Sequence, residues 1–144
     1  MMGLWNWFSA RGVEPLSSSA LLVEANSPAL MARSQLIEAI GIETTGGVFT
    51  PILNVGQPLP FSVTKMFSTA IHWQTEITLG LYRGNNITHV WSAHPLGTFK
   101  IEGIPRQPRG VPLIDVRLFT RDQDLLLDAH DHNGGKHIRV VRIN

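Results

Sequence analysis

The sequence has no cysteine, which excludes a disulfide framework and thiol chemistry and is compatible with the cytosol. It has no excess of charge either. Twelve Lys and Arg stand against eleven Asp and Glu, so net charge points to neither a nucleic acid nor an acidic membrane as partner. No apolar run approaches the roughly 20 residues of a membrane-spanning helix. The start, Met1-Met2-Gly3-Leu4-Trp5-Asn6-Trp7-Phe8, is apolar but lacks the basic and long apolar regions of a signal peptide. The chain therefore reads as unexported and cytoplasmic. There is no internal repeat, no phosphate-cradling GxxxxGK[ST] loop and no Ser/His/Asp constellation. These absences argue against an enzyme and imply no cofactor.

A chain of 144 residues fits one domain and buries roughly two thirds of its unfolded surface unaided. Residues 1–39 read as an arm. Trp5, Trp7 and Phe8 form an apolar head, and Ser17-Ser18-Ser19 can cap a short helix over residues 20–25. Ser27-Pro28 is a stronger start signal, after which Leu30, Met31, Leu36, Ile37 and Ile40 recur at roughly helical spacing. An amphipathic helix ending near Gly41 is expected.

From Gly41 the period changes to two. Ile77, Leu79 and Leu81 alternate with Glu76, Thr78 and Gly80, and Ile114, Val116 and Leu118 with Asp115, Arg117 and Phe119. Each pattern is that of a half-buried strand. Residues 138–143 form another β-branched run, and prolines at 51, 58, 60, 95, 105, 108 and 112 punctuate the intervals. Many short strands between Gly/Pro turns predict a mainly-β, antiparallel sandwich over residues 40–144.

Between Ile42 and Leu53 two short apolar strands flank a Thr-Gly-Gly turn, where glycine permits the positive φ that hairpins need. The run Gly41-Ile42-Glu43-Thr44-Thr45-Gly46-Gly47-Val48 resembles the opening of the peptide-binding domain of the seventy-kilodalton heat-shock (DnaK-type) chaperones. In family order follow Phe67-Ser68-Thr69-Ala70, Gln74, Tyr82-Arg83-Gly84, Leu96-Gly97-x-Phe99 and Gly103-Ile104. Pro108-Arg109-Gly110-x-Pro112 and the turn Asp131-His132-Asn133-Gly134-Gly135-Lys136 complete the series. The resemblance covers about residues 40–143. It implies two four-stranded sheets with loops crowning one end, and a groove there that holds an extended apolar, Leu-rich segment of an unfolded polypeptide.

Residue by residue, the resemblance assigns the apolar pocket to Ile42, Thr44, Phe67, Ile77, Leu79, Ile114 and Val116. It assigns a backbone-contacting amide to Gln74, and the arch over the peptide to Thr45 and Ala70. Sequence-blind backbone bonds with one aliphatic pocket would hold an extended chain and select Leu-like side chains. Thr45 is shorter and more polar than the methionine usual in bacterial relatives, so the arch covers less, and Ile71 and Trp73 can add apolar contact. The family's ATPase domain and helical lid lie outside these 144 residues. The expected protein is thus a lidless peptide binder without intrinsic ATPase, served by such a domain in a longer parent or in trans.

Self-association through residues 1–40, with the Leu-rich runs at 20–24 and 30–33 reaching a neighbour's groove, is a further expectation. The alternative to peptide binding is a non-catalytic adaptor that keeps the fold. A third reading, zinc on His130, His132 and His137 with Asp128 or Asp131, yields to solvated hairpin histidines, because the resemblance implies lysines there.

Overall fold

The computed structural model describes residues 3–10 by their backbone, and residues 20–32, 34–135 and 137–144 in full. Among these, ten strands form two antiparallel sheets. They are β1 (Gly3–Ala10), β2 (Leu21–Glu24), β3 (Ala39–Thr44), β4 (Val48–Leu53), β5 (Ser62–Ser68), β6 (Glu76–Gly84), β7 (His94–Glu102), β8 (Leu113–Arg121), β9 (Asp124–Asp131) and β10 (Arg139–Arg142). The first sheet has the order β1-β5-β8-β9-β2 and the second β10-β7-β6-β3-β4.

The expected mainly-β antiparallel sandwich is present, but each sheet has five strands rather than four. The two added strands are β1 and β2, which flank the first sheet: β1 pairs with β5, with Gly3 opposite Ser68, and β2 with β9, with Leu21 opposite Leu127. The expected run at 138–143 gives β10, which joins β7 with Val140 opposite Ile101 and makes the second sheet five-stranded. Strands drawn from before residue 40 therefore pair with strands from after it.

The helix expected to end near Gly41 is not formed. Only Pro28–Leu30 makes one 3₁₀ turn, with proline at its start. Beyond it the backbone N–H groups bond elsewhere, Leu36 to Gln57 O at 2.8 Å and Ile37 to Ala29 O at 2.9 Å, so no i→i−4 ladder can run. Leu30 and Leu36 are buried while Met31 and Ile37 are exposed, each fixed by its tertiary contacts and not by a helical face. The helix expected over residues 20–25 is the strand β2; its proposed Ser17-Ser18-Ser19 cap lies outside the described residues.

The core fills the space between the sheets. Ile77, Leu79 and Leu81 of β6 and Ile114, Val116 and Leu118 of β8 all point into it, as their alternation predicts. Two charged groups tie β2 to the second sheet. Arg83 of β6 bonds Glu24 at 3.1 Å and Glu38 at 3.0 Å, and Arg142 of β10 donates to the carbonyls of Leu22 and Val23 while lying over the Phe99 ring.

Candidate functional site

Two loops frame one end of the sandwich. The first, Thr44 to Val48, turns through Gly46 (φ 83°) and Gly47 (φ 74°), values that suit glycine. It is braced from outside by the β6–β7 loop. Val90 N–H donates to Gly47 O and Phe49 N–H to Thr88 O, each at 2.9 Å. The Trp91 ring, stacked on His89 at 4.2 Å, lies so close to Gly47 that an added Cβ would stand 2.9 Å from it. Thr45 is exposed at the turn, and Thr44 Oγ1 lies 2.8 Å from Thr50 Oγ1.

The second loop joins β5 to β6 and holds Ala70 and Gln74. Gln74 Oε1 accepts from the N–H groups of Ala70 and Ile71 at 3.0 and 3.2 Å, and its Nε2 donates to Glu76 O at 2.8 Å. The amide expected to meet a substrate backbone is thus engaged in shaping its own loop. The neighbouring 103–112 segment supports that loop: Trp73 N–H donates to Gln107 O, Arg109 N–H to His72 Nδ1, and Gly110 N–H to Thr69. Trp73 holds a left-handed backbone (φ 65°), and both it and Ile71 are more than half exposed.

Below the loops the predicted apolar residues divide into two groups. Ile42, Phe67, Leu79 and Val116 line one internal cavity of about 10 Å³, together with residues of β4 and with Lys65. Ile77 and Ile114 are fully buried in the core and do not line it. A void of that size admits at most one water, and its apolar walls favour dryness. Thr44 and Thr45 instead border an open, polar depression with Glu43, Thr78 and Gly80.

Sequence reasoning missed three features. Lys65 sits on the inner face of β5, opposite Val116, and burial lowers its pKa to about 8. The alternation Val63, Lys65, Phe67 was the available signal. The bracing by His89 and Trp91 had no signal short of the fold. Finally, His132 Nδ1 and His130 Nε2 approach the same Asp115 Oδ2, at 2.9 and 3.3 Å, because β8–β9 register sets Asp115 opposite His130. The two histidines do share a face; their carboxylate is Asp115, not Asp128 or Asp131. Among the described residues no three His, Asp or Glu side chains stand in an arrangement that could hold a metal ion.

Comparison with known proteins bears on this geometry. Residues 35–141, which include both loops and the cavity, match the Hsp70 protein family. The chain is 44% identical over 78 residues to Chaperone protein DnaK of Anaplasma marginale, covering 54% of this chain and 12% of that protein. It is 38% identical over 99 residues to Heat shock 70 kDa protein 6, chloroplastic, of Arabidopsis thaliana, covering 68% and 14%. With Stromal 70 kDa heat shock-related protein, chloroplastic, of Spinacia oleracea it shares 40% over 100 residues, covering 68% and 16%. The matched region is thus a small fraction of each relative. It extends without a break across eight of the ten strands, and on that basis the chain belongs to the Hsp70 family.

Proposed function

We propose that this chain is a chaperone-type module that holds extended apolar segments of unfolded polypeptides between its two end loops, with no catalytic step of its own. One observation carries the reading: Ile42, Phe67, Leu79 and Val116, which come from four different strands, converge on one apolar cavity in the middle of the sandwich. An aliphatic pocket beneath loops whose backbones can bond a strand suits a Leu-like anchor on any extended chain. The cavity is too small for a leucine side chain as it stands, so entry requires the loops to part. Opening breaks the Val90–Gly47 and Trp73–Gln107 bonds, a cost that leaves affinity in the micromolar range or weaker. An ATPase supplied by a longer parent or in trans, and a cytoplasmic location, belong to the same reading.

A titration of a fluorescein-labelled Leu-rich heptapeptide, read by anisotropy, tests this. Saturable binding, competed by unlabelled peptide, is expected. Val116→Phe, which adds bulk to the wall of the cavity itself, is expected to abolish it while the thermal transition stays cooperative. Absence of saturation up to about 1 mM, a free energy of only about −4 kcal/mol, would reject the reading.

The second reading is a non-binding adaptor that keeps the fold. It is favoured by the same cavity's smallness, because the chain's own side chains already occupy most of the space below the loops. The titration separates the two.

A further inference from the structure

A peptide enters between the end loops only when the turn 44–48 and the 69–75 loop part, so whatever stands behind that turn governs entry. In the second sheet β3 lies between β6 and β4, which leaves β4 as the last strand of the order. Its far edge is nonetheless paired. Val48 forms an antiparallel bridge with His89, while Phe49 N–H donates to Thr88 O and Val90 N–H to Gly47 O. The 88–91 segment therefore lies on the side of the turn away from β6, and so away from the 69–75 loop that leads into β6. A turn that swings away from that loop swings toward 88–91.

The segment is stiff where it meets the turn. Val90–Ser92 is a 3₁₀ turn, with Ser92 N–H on His89 O at 3.1 Å and Ala93 N–H on Val90 O at 3.0 Å, and Val90 is buried. Trp91 at its centre is 72% exposed, so burial is not what its indole contributes. Its contacts are local instead. The ring stacks on His89 with the planes 9° apart, and its edge fills the place beside Gly47 where an added Cβ would stand 2.9 Å from it. Glycine is thus required twice at position 47, by the left-handed φ of 74° and by the indole. A rigid bicycle, steadied by a stacked imidazole and set against turn backbone, is a stop. The turn swings outward only when Trp91 leaves or the whole segment moves with it.

We propose that Trp91 is a positioning residue for the peptide groove, a backstop behind Gly47 that holds the turn 44–48 in its closed place and limits how fast peptide enters and leaves. The inference rests on the peptide reading and adds to it the residue that sets the rate. The backstop contact is present when the turn is closed, with or without peptide, and is lost while the turn is open. Removing it lowers the barrier to entry and to exit by the same amount. Affinity compares two closed states and therefore changes little.

Stopped-flow mixing of the full chain with the fluorescein-labelled Leu-rich heptapeptide, and displacement by excess unlabelled peptide, give the two rates. In Trp91→Ala both are expected to rise about tenfold with Kd within about threefold of the parent, and Trp91→Phe should restore most of the difference. His89→Ala, which removes only the stack, should raise both rates by a smaller factor, and it decides the matter if Trp91→Ala fails to fold. Amide exchange supplies a readout without peptide. Val90 and Phe49 N–H should exchange faster in Trp91→Ala while the β8–β9 amides keep the parent's rates. Peptide binding with unmoved rates overturns the backstop alone. So does a rise in the off-rate only, which would make Trp91 a peptide contact, or a general rise in amide exchange, which would make it a support of the whole fold. Absence of peptide binding in every chain, the parent included, rejects the peptide reading and the backstop with it.

Discussion

The two outer faces of this sandwich have the same geometry and opposite environments. On the second sheet, Glu43, Thr78 and Glu76 face solvent, and the charges there pair loosely: Arg139 with Glu102 at 2.6 Å but 65% exposed, Lys100 with Glu76 at 3.7 Å. On the first sheet, Arg117 bonds Asp128 at 2.5 Å with side chains only 10% and 6% exposed, and lies 4.1 Å over the Phe119 ring. Both faces alternate with core residues at the period of a strand. The lesson is that an outward-facing strand position says nothing about burial until its neighbours on that face are known.

Breaking the two ion pairs should expose the contrast most strongly. Asp128→Ala leaves a buried guanidinium without its carboxylate and is expected to lower stability by about 3 kcal/mol, read as a fall in the urea midpoint. Replacing both partners, Arg117→Met with Asp128→Leu, should recover most of that loss, because the desolvation cost of both charges disappears. If Asp128→Ala proves as mild as a surface change, the first face is wet after all. Phe119→Ala follows, at about 3 kcal/mol or somewhat less, against a change within about 0.5 kcal/mol for Thr98→Ala on the opposite sheet.

Much of this was legible from residue order alone. The alternations through Ile77, Leu79, Leu81 and through Ile114, Val116, Leu118 set two central strands and their inward faces correctly. The same alternation misled for Asp115, Arg117 and Phe119, which hold outward positions and are nevertheless buried, Arg117 by its pairing with Asp128 and its place over the Phe119 ring. Leu30, Leu36 and Ile40 imitated a helical stripe, since three residues anchored separately in a core can fall at helical spacing by chance. The candidate site was readable only through the resemblance. Strand periodicity cannot single out Ile42, Phe67, Leu79 and Val116 from the other core residues, and what brings them to one cavity is the stacking of the sheets. The Asp115–His130–His132 contact needed β8–β9 register, which no local pattern contains.

A smaller test sits between the faces, at the inward-pointing Lys65. Burial lowers its pKa to about 8 from an ordinary 10.5, so the folded state disfavours its charge. Below pH 8 both states are protonated and the full penalty applies; between about 8 and 10.5 the unfolded state binds more protons, and stability rises with pH. Lys65→Met is therefore expected to stabilise by about 1 kcal/mol at pH 7, a value reduced for the side chain's partial exposure, and the gain should shrink as pH approaches 10. A gain that grew with pH would mean that the ammonium is held by a favourable partner that outweighs desolvation. Thermal melts of both chains across that range would distinguish the two.

The smallest effect belongs to the exposed face. Glu102 has its carboxyl held below the ordinary range, chiefly by the hydrogen bond from Arg139 and then by Lys100. A depressed carboxylate stabilises the fold above its unfolded pKa and loses that contribution as pH falls through the folded value. Arg139→Ala should accordingly shift the melting temperature little at pH 7, and the residual difference from the parent should vanish in acid, once Glu102 is protonated in both states. Raising salt should erase it at neutral pH as well, because solvent reaches both partners and ions screen them. The buried pair on the first sheet should resist the same salt, since water and ions do not reach Arg117 and Asp128. Measuring Arg139→Ala and Asp128→Ala side by side at low and high salt therefore asks whether the two outer faces differ in solvent access. If salt weakened both pairs equally, the two faces would be equally wet.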